Sequence, residues 1–199
     1  MYRYSVRASN AGGSSAFSNI VECTTVAPPS PSNTPPPGGG RIVFVTSTTR
    51  TGNLGGIAGA HAICQNEALA NSLTGTFRAW ISSNSTNDPE STFTRSTAPY
   101  FVWLGSTAPH WRQVANNWAD LTDGALSSVI NTTLAGNVVH NATWTATTTT
   151  GAAWGSSCAA WTSTGEHGLV GDTTVTDSRW SHHAEFGCHH NFHLFCFQQ

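Results

Sequence analysis

The sequence predicts a loop-rich α+β domain over residues 41–199, reached through a proline-rich connector over residues 27–40 from a β-hairpin over residues 1–26. Three observations lead there. Only one stretch, "GGIAGAHAICQNEALANS", carries its small and apolar residues at clear helical spacing. Beyond it, aromatic-bearing segments such as "PYFVWLG", "ATWTAT" and "CAAWTS" are separated by polar and glycine turns, as expected of a loop-rich α+β domain. Ahead of it, "APPSPSNTPPPGGG" has the composition of a linker, extended by its prolines and ending in a glycine swivel, with nothing apolar to bury.

In the opening "YRYSVRASNAGGSSAFSNIVECTT", Tyr2, Tyr4, Val6 and Ala8 alternate with Arg3, Ser5 and Arg7 before a glycine-rich turn and a second strand around Ile20. The wording resembles the last two strands of a fibronectin type III domain, which typically ends Tyr-x-Val-x-Ala, Asn, Gly, then Ser. The resemblance covers residues 1–26, so most of such a sandwich is missing. An isolated hairpin is marginal in water, so the chain is expected either to be a piece of something longer or to pair this hairpin with another subunit.

The domain proper starts at "RIVFVTS", where Ile42, Phe44 and Thr46 share one strand face. In the helical stretch, Ala60, Cys64, Ala68 and Asn71 fall on one side with Ile57 and Ile63 at its margin, while Gln65, Asn66 and Glu67 favour a helix without needing burial. "GTFRAWISS" returns to strand character, and "ADLTDGALSSVINTT" is ambiguous between helix and loop.

Composition narrows the function. Charged residues make up 9% of the chain, lysine is absent and the eight arginines are scattered singly, so there is no basic patch to hold phosphates; nucleic acid is not an expected partner. No apolar run approaches the roughly 20 residues of a membrane helix, and the N-terminus lacks a signal-peptide pattern, so export would depend on a part outside this sequence. Abundant Ser, Thr, Asn and Gly fit a secreted or cell-surface protein. Of the five cysteines, Cys64, Cys158, Cys188 and Cys196 lie in the main domain, with none of the two-residue spacings of zinc ribbons or thioredoxin-like sites. Disulfides are expected in an oxidising compartment, which leaves Cys23 free or paired outside the chain.

The segments "FVTSTTRTGNLGGIAGAHAICQNEALANSLTGTFRAWISS", "DLTDGAL", "CAAWTS" and a terminal Cys followed eight residues later by "LFCFQQ" together resemble the endostatin-like branch of the C-type lectin-like fold, as found in bacterial surface proteins. The resemblance covers residues 41–199. It implies that the first cysteine bonds the last and the middle two bond each other, giving Cys64–Cys196 and Cys158–Cys188; the sequence by itself leaves three connectivities open. His61 stands where the family often has an acidic residue, and Phe195 replaces the usual Tyr. The calcium motifs of sugar-binding members, Glu-Pro-Asn or Gln-Pro-Asp with Trp-Asn-Asp, are missing: "TNDPES" sits too early and "NWAD" has no partner. Endostatin's zinc ligands cluster near that domain's N-terminus, where this chain has linker.

The tail "SHHAEFGCHHNFHLFCFQQ" concentrates histidines around two cysteines. Read as a strand with Cys196 inward, it turns His190, Phe192 and Leu194 inward and His189, Asn191, His193 and Phe195 outward. His189 and His193 would then stand about 13 Å apart at roughly 3.3 Å per residue, too far to share one zinc. His182 or His183, with Glu185, could complete a site with one of them, so His182, His183, His189 and His193 are the zinc candidates and no other cofactor is implied. A catalytic reading finds little: "HAE" lacks the Pro-Cys-x-x-Cys half of zinc deaminases, and neither Gly-x-Ser-x-Gly nor His-Glu-x-x-His occurs. The favoured expectation is a non-catalytic extracellular recognition or adhesion module. It would bind a protein or glycan through Trp180, Asn191, His193 and Phe195, with Trp111 and Trp118 extending the surface. The tail also loosely resembles the variable region of retroelement-diversified proteins that share this fold. The alternative is a structural subunit of a surface fibre, a homo-oligomer joined through the hairpin. Asn84, Asn131 and Asn141 begin Asn-x-Ser/Thr sequons.

Overall fold

The structure is a computed structural model that describes residues 2–23 and 27–199. Strand β1 (Tyr2–Tyr4) pairs antiparallel with β4 (Val21–Cys23), and the tip between them closes on β2 (Ser9–Asn10) and β3 (Gly13–Ser14). The expected hairpin is therefore present, with Tyr4, Val6, Phe17 and Ile20 all exposed. The state of the Cys23 thiol lies outside what is described.

The main domain is mixed α+β. Its central sheet contains β5 (Arg41–Val45), β6 (Phe77–Ala79), β7 (Tyr100–Trp103), β8 (Trp111–Ala115) and β12 (Phe195–Gln198), in the order β6-β12-β5-β7-β8. A second sheet has the order β11-β10-β9, formed by β9 (Ala142–Trp144), β10 (His167–Asp172) and β11 (Ala184–Gly187). Both faces of the central sheet are covered. Ile42, Phe44 and Cys196 pack with the helix α1 (Gly56–Ala70), while Val43, Val45, Phe195 and Phe197 pack into an aromatic layer with Trp80, Phe93, Trp118 and Trp180. Cohesion comes from this burial: the ion pairs among the described residues, Arg3–Glu22 and Arg179–Asp177, are exposed and so contribute little.

Helix α1 buries Ala60, Cys64 and Ala68, the face that the spacing predicts. The residues beside that face hold the sheet. Gln65 accepts from the Phe77 N–H (2.8 Å) and donates to the Gly75 carbonyl (3.1 Å), and one turn earlier His61 Nδ1 accepts from the Ala79 N–H (3.2 Å). Two side chains four apart on one helix face thus satisfy backbone donors of β6, which lies at the sheet's edge. His61 is held well below the ordinary imidazole range, to about 4, by burial and then by the Arg78 guanidinium. The unfolded imidazole titrates near 6.5, so above that pH its contribution is fully present, and it is lost as pH falls from 6.5 towards 4. Glu67, raised by burial, acts in the opposite sense. Thermal melts at pH 7.5 and 4.5 should therefore show a larger fall in Tm for the native chain than for His61→Gln, which keeps an acceptor but does not titrate.

The bridges are Cys64–Cys196 and Cys158–Cys188, the pairing that the family resemblance implies. The first ties α1 to β12. The second fixes a feature that the sequence does not announce. Of the three aromatic segments, "PYFVWLG" and "ATWTAT" hold strands, but "CAAWTS" holds a four-residue helical turn, α4 (Cys158–Trp161), with φ of 51°, 52°, 55° and 66°. The remaining short helices, α2 (Pro89–Thr92) and α3 (Trp118–Leu121), are capped conventionally by Asp88 and Asn117. Left-handed dihedrals cost an L-residue about 1–2 kcal/mol each, and here both ends of the turn are fixed, by the Cys158 bridge and by the buried Trp161 indole donating to the Ser82 carbonyl (2.7 Å). Ala159 and Ala160 are exposed between those anchors. Replacing either with Gly should raise stability by up to about 1 kcal/mol, net of glycine's own entropy cost, read as a higher Tm.

The connector departs from the free spacer that its composition predicts. Pro31 and Gly40 are buried, and the Trp111 indole donates to the Thr34 carbonyl (3.0 Å), so its second half lies against the domain.

Candidate functional site

The predicted recognition residues separate into core and surface. Trp180 and Phe195 are each 0% exposed. Trp180 packs on Trp80 at 5.1 Å and on Phe195 at 5.9 Å. They belong to the aromatic layer and offer nothing to a ligand, which corrects their assignment to a binding surface. The reason is topological: β12 is an inner strand with a core on each face, so alternation along it does not separate inside from outside. His193 is buried as well, with Nδ1 on the Thr46 carbonyl (2.7 Å) and its pKa lowered by burial. Asn191 alone of the four is exposed. Trp118 is also buried, and Trp111 is half-buried beneath the connector.

The zinc candidates are likewise dispersed. His182 packs on Trp154, His183 opens onto a groove on the far side of β11, His189 lies against His190 on the exposed turn, and His193 is inside. Among the described residues no three His, Cys, Asp or Glu side chains are placed to hold one ion. Cys188, next to His189, is consumed in a disulfide and is no thiolate nucleophile.

What reaches solvent instead surrounds β11, the edge strand of the second sheet. Of the eight tryptophans only Trp154 is exposed, at 51%, and Phe186 is the one exposed phenylalanine of residues 41–199, at 38%. Phe186 lies on β11 with its ring 5.2 Å from Phe192, which in turn stands 4.8 Å from the buried Trp144. An aromatic ladder thus runs from core to surface, with His190 stacked on Phe192 at 6.0 Å. This ladder walls a groove of about 320 Å³ whose other wall is polar: His140, Asn141, Asp172, Thr174 and His183. Asp172 Oδ1 accepts from the Thr174 N–H (2.8 Å) and hydroxyl (2.7 Å), which pins the carboxylate while Oδ2 remains available. Asn141 Oδ1 accepts from the Ala142 N–H (2.8 Å), so its NH₂ is the free end.

Successive residues of a strand point to opposite faces, so Glu185 emerges on the side away from Phe186. There it accepts from the Ser156 hydroxyl (2.8 Å), two residues along the chain from Trp154, whose ring rests on His182 at 4.9 Å. A cleft of about 150 Å³ beside Trp154 is lined by Ser82, Ser83, Asn84 and Ser157. The arrangement offers flat apolar rings flanked by hydrogen-bonding side chains, among them the carboxylates of Asp172 and Glu185, a surface suited to recognition. Neither Trp154 nor Phe186 is among the residues that the sequence points to as a binding surface. The available signal was Phe186 in "HAEFG", where an aromatic interrupts an otherwise polar stretch.

No protein-family model matches the chain, and no curated protein matches it significantly.

Proposed function

We propose that the chain is a non-catalytic recognition or adhesion module with a C-type lectin-like domain, working outside the cell or on its surface and binding a protein or glycan through the face around β11. The observation that carries this reading is the exposure of Phe186, on the edge strand β11, and of Trp154, packed on His182 just ahead of that strand, in a domain that otherwise buries its tryptophan and phenylalanine rings at least in part. Two disulfides suit an oxidising compartment, and no helix among the described residues is long and apolar enough to cross a membrane. The binding is calcium-independent, since the paired calcium motifs are missing. Probing immobilised neutral oligosaccharides and purified extracellular-matrix proteins with the whole chain, with and without a chelator, tests this. Binding that survives the chelator is expected, and binding abolished by it would contradict the reading.

The exposed apolar side chains of the hairpin, Tyr4, Val6, Phe17 and Ile20, favour a second reading, a subunit that contributes β-strands to a neighbour. In that case light scattering finds oligomers that revert to monomers when residues 1–26 are removed.

A further inference from the structure

One hydrogen bond ties the connector to a small aromatic ledge. The Trp111 ring meets Trp103 edge to face at 5.0 Å, and Trp103 stacks on His110 at 5.4 Å. From this ledge the Trp111 indole N–H donates to the Thr34 carbonyl, directly ahead of three prolines. Pro36 has the extended dihedrals of a polyproline helix, φ −65° and ψ 151°. An indole donor aimed at a carbonyl beside proline rings is the chemistry by which aromatic-lined grooves read proline-rich segments.

The segment also keeps its own shape. Asn33 Oδ1 accepts from the Ser30 N–H (2.7 Å), the Asn33 and Thr34 N–H groups donate to the Ser30 carbonyl (3.2 and 3.0 Å), and Asn33 Nδ2 reaches the Pro28 carbonyl (3.1 Å). These bonds are internal to residues 28–34, so they survive if the segment leaves the domain and leave it preorganised to bind again. Its seat is partial. Behind Pro31, Pro35 and Pro36 a cleft of about 290 Å³ opens towards Leu73 and Gln198. The left-handed Gly38 and Gly39, φ 62° and 69°, form the hinge to β5.

We infer that the Trp111 ledge is a receptor for a proline-rich segment, filled by the chain's own residues Pro31–Pro36 and exchangeable for the same segment of a second copy. Filled in cis, the tether gives a high effective concentration and copies stay separate. Opened at the glycine hinge, the segment crosses to a neighbour, as hinge loops do in domain exchange.

The test uses the full chain carrying P31S, P35S and P36S together with a synthetic peptide of residues 28–40, read by the indole N–H resonances in ¹⁵N-labelled protein. The Trp111 resonance, assigned by its loss in W111F, is expected to move in the triple variant and to return on adding peptide, while the other indole resonances stay in place. Adding W111F to the triple variant should weaken peptide binding, measured by calorimetry for both variants, about tenfold, the worth of one hydrogen bond to a neutral acceptor. The native chain should ignore the peptide at concentrations that saturate the variant. If the triple variant does not fold, N33G, at an exposed position, loosens the segment without touching the ledge, and the same readings apply. A Trp111 resonance unmoved by these substitutions, or an opened chain that does not take the peptide, overturns the inference.

Discussion

A chain with Cys64→Ala and Cys196→Ala should lose about 4–5 kcal/mol of stability, a large fraction of the about 5–15 kcal/mol that domains carry in all, and unfold at a much lower urea concentration than the native chain. The bridge closes the longer of the two disulfide loops, with a separation of 132 residues against 30 for Cys158–Cys188. Loop-closure entropy rises with the logarithm of loop length, so the shorter bridge should be worth about 1 kcal/mol less. Its position adds to the effect. Both sulfurs are buried between α1 and the central sheet, and the polar bonds of Gln65 and His61 to β6 depend on that helix staying docked. Urea unfolding of the two double variants and the native chain gives both values and their order.

Phe195→Ala should cost about 3–5 kcal/mol, the range for deleting a fully buried ring. Its side chain faces the aromatic layer that also holds Trp80 and Phe197, and the Trp180 ring, 5.9 Å away, would border the cavity left. Its neighbour in sequence, Leu194, faces the opposite core. Phe186→Ser, nine residues earlier in the same tail, removes a ring that is 38% exposed, and a surface change of this kind should alter stability by only about 0.5–1 kcal/mol. Chemical denaturation of the two variants side by side distinguishes a core residue from a surface one. A Phe195→Ala chain of native stability would mean that the tail strand is not packed as described.

The contrast between these two phenylalanines marks where the sequence can be read and where it cannot. Helix α1 was legible because its small residues, Ala60, Cys64 and Ala68, recur at the helical period, and a period is a local property. Strand β12 was legible as a strand but not as an inner one. Alternation in "CHHNFHLFC" suggests one wet face, whereas the run Leu194 to Phe197 is continuously apolar, the mark of a strand covered on both sides. The left-handed turn at Cys158–Trp161 contains no glycine to announce it and exists because a disulfide and a buried indole hold its ends.

The groove was beyond local reading for a different reason. His140, Asn141, Asp172, Thr174, His183 and Phe186 come together only because β10 pairs with β9 on one side and β11 on the other, and strand pairing of that kind is set by the whole fold. Trp154 looks in sequence like the other seven tryptophans. What separates it is exposure: the other seven rings are buried or half-buried, and four of them, Trp80, Trp111, Trp144 and Trp161, also donate an indole hydrogen bond, to Ser181, Thr34, Arg50 and Ser82, while Trp154 stays in solvent against His182. The same dependence on tertiary partners explains the connector, whose docking rests on an indole 77 residues away.

On the proposed function, recognition belongs to the face around β11 and not to the buried tail strand. The most direct measurement compares the native chain with Trp154→Ser/Phe186→Ser on the same immobilised oligosaccharides and matrix proteins, with the Tm of each recorded alongside. The double variant should melt within a few degrees of the native chain and lose binding by at least about tenfold, as expected when two exposed aromatic contacts are removed. Undiminished binding by a folded double variant would place the recognition surface away from β11.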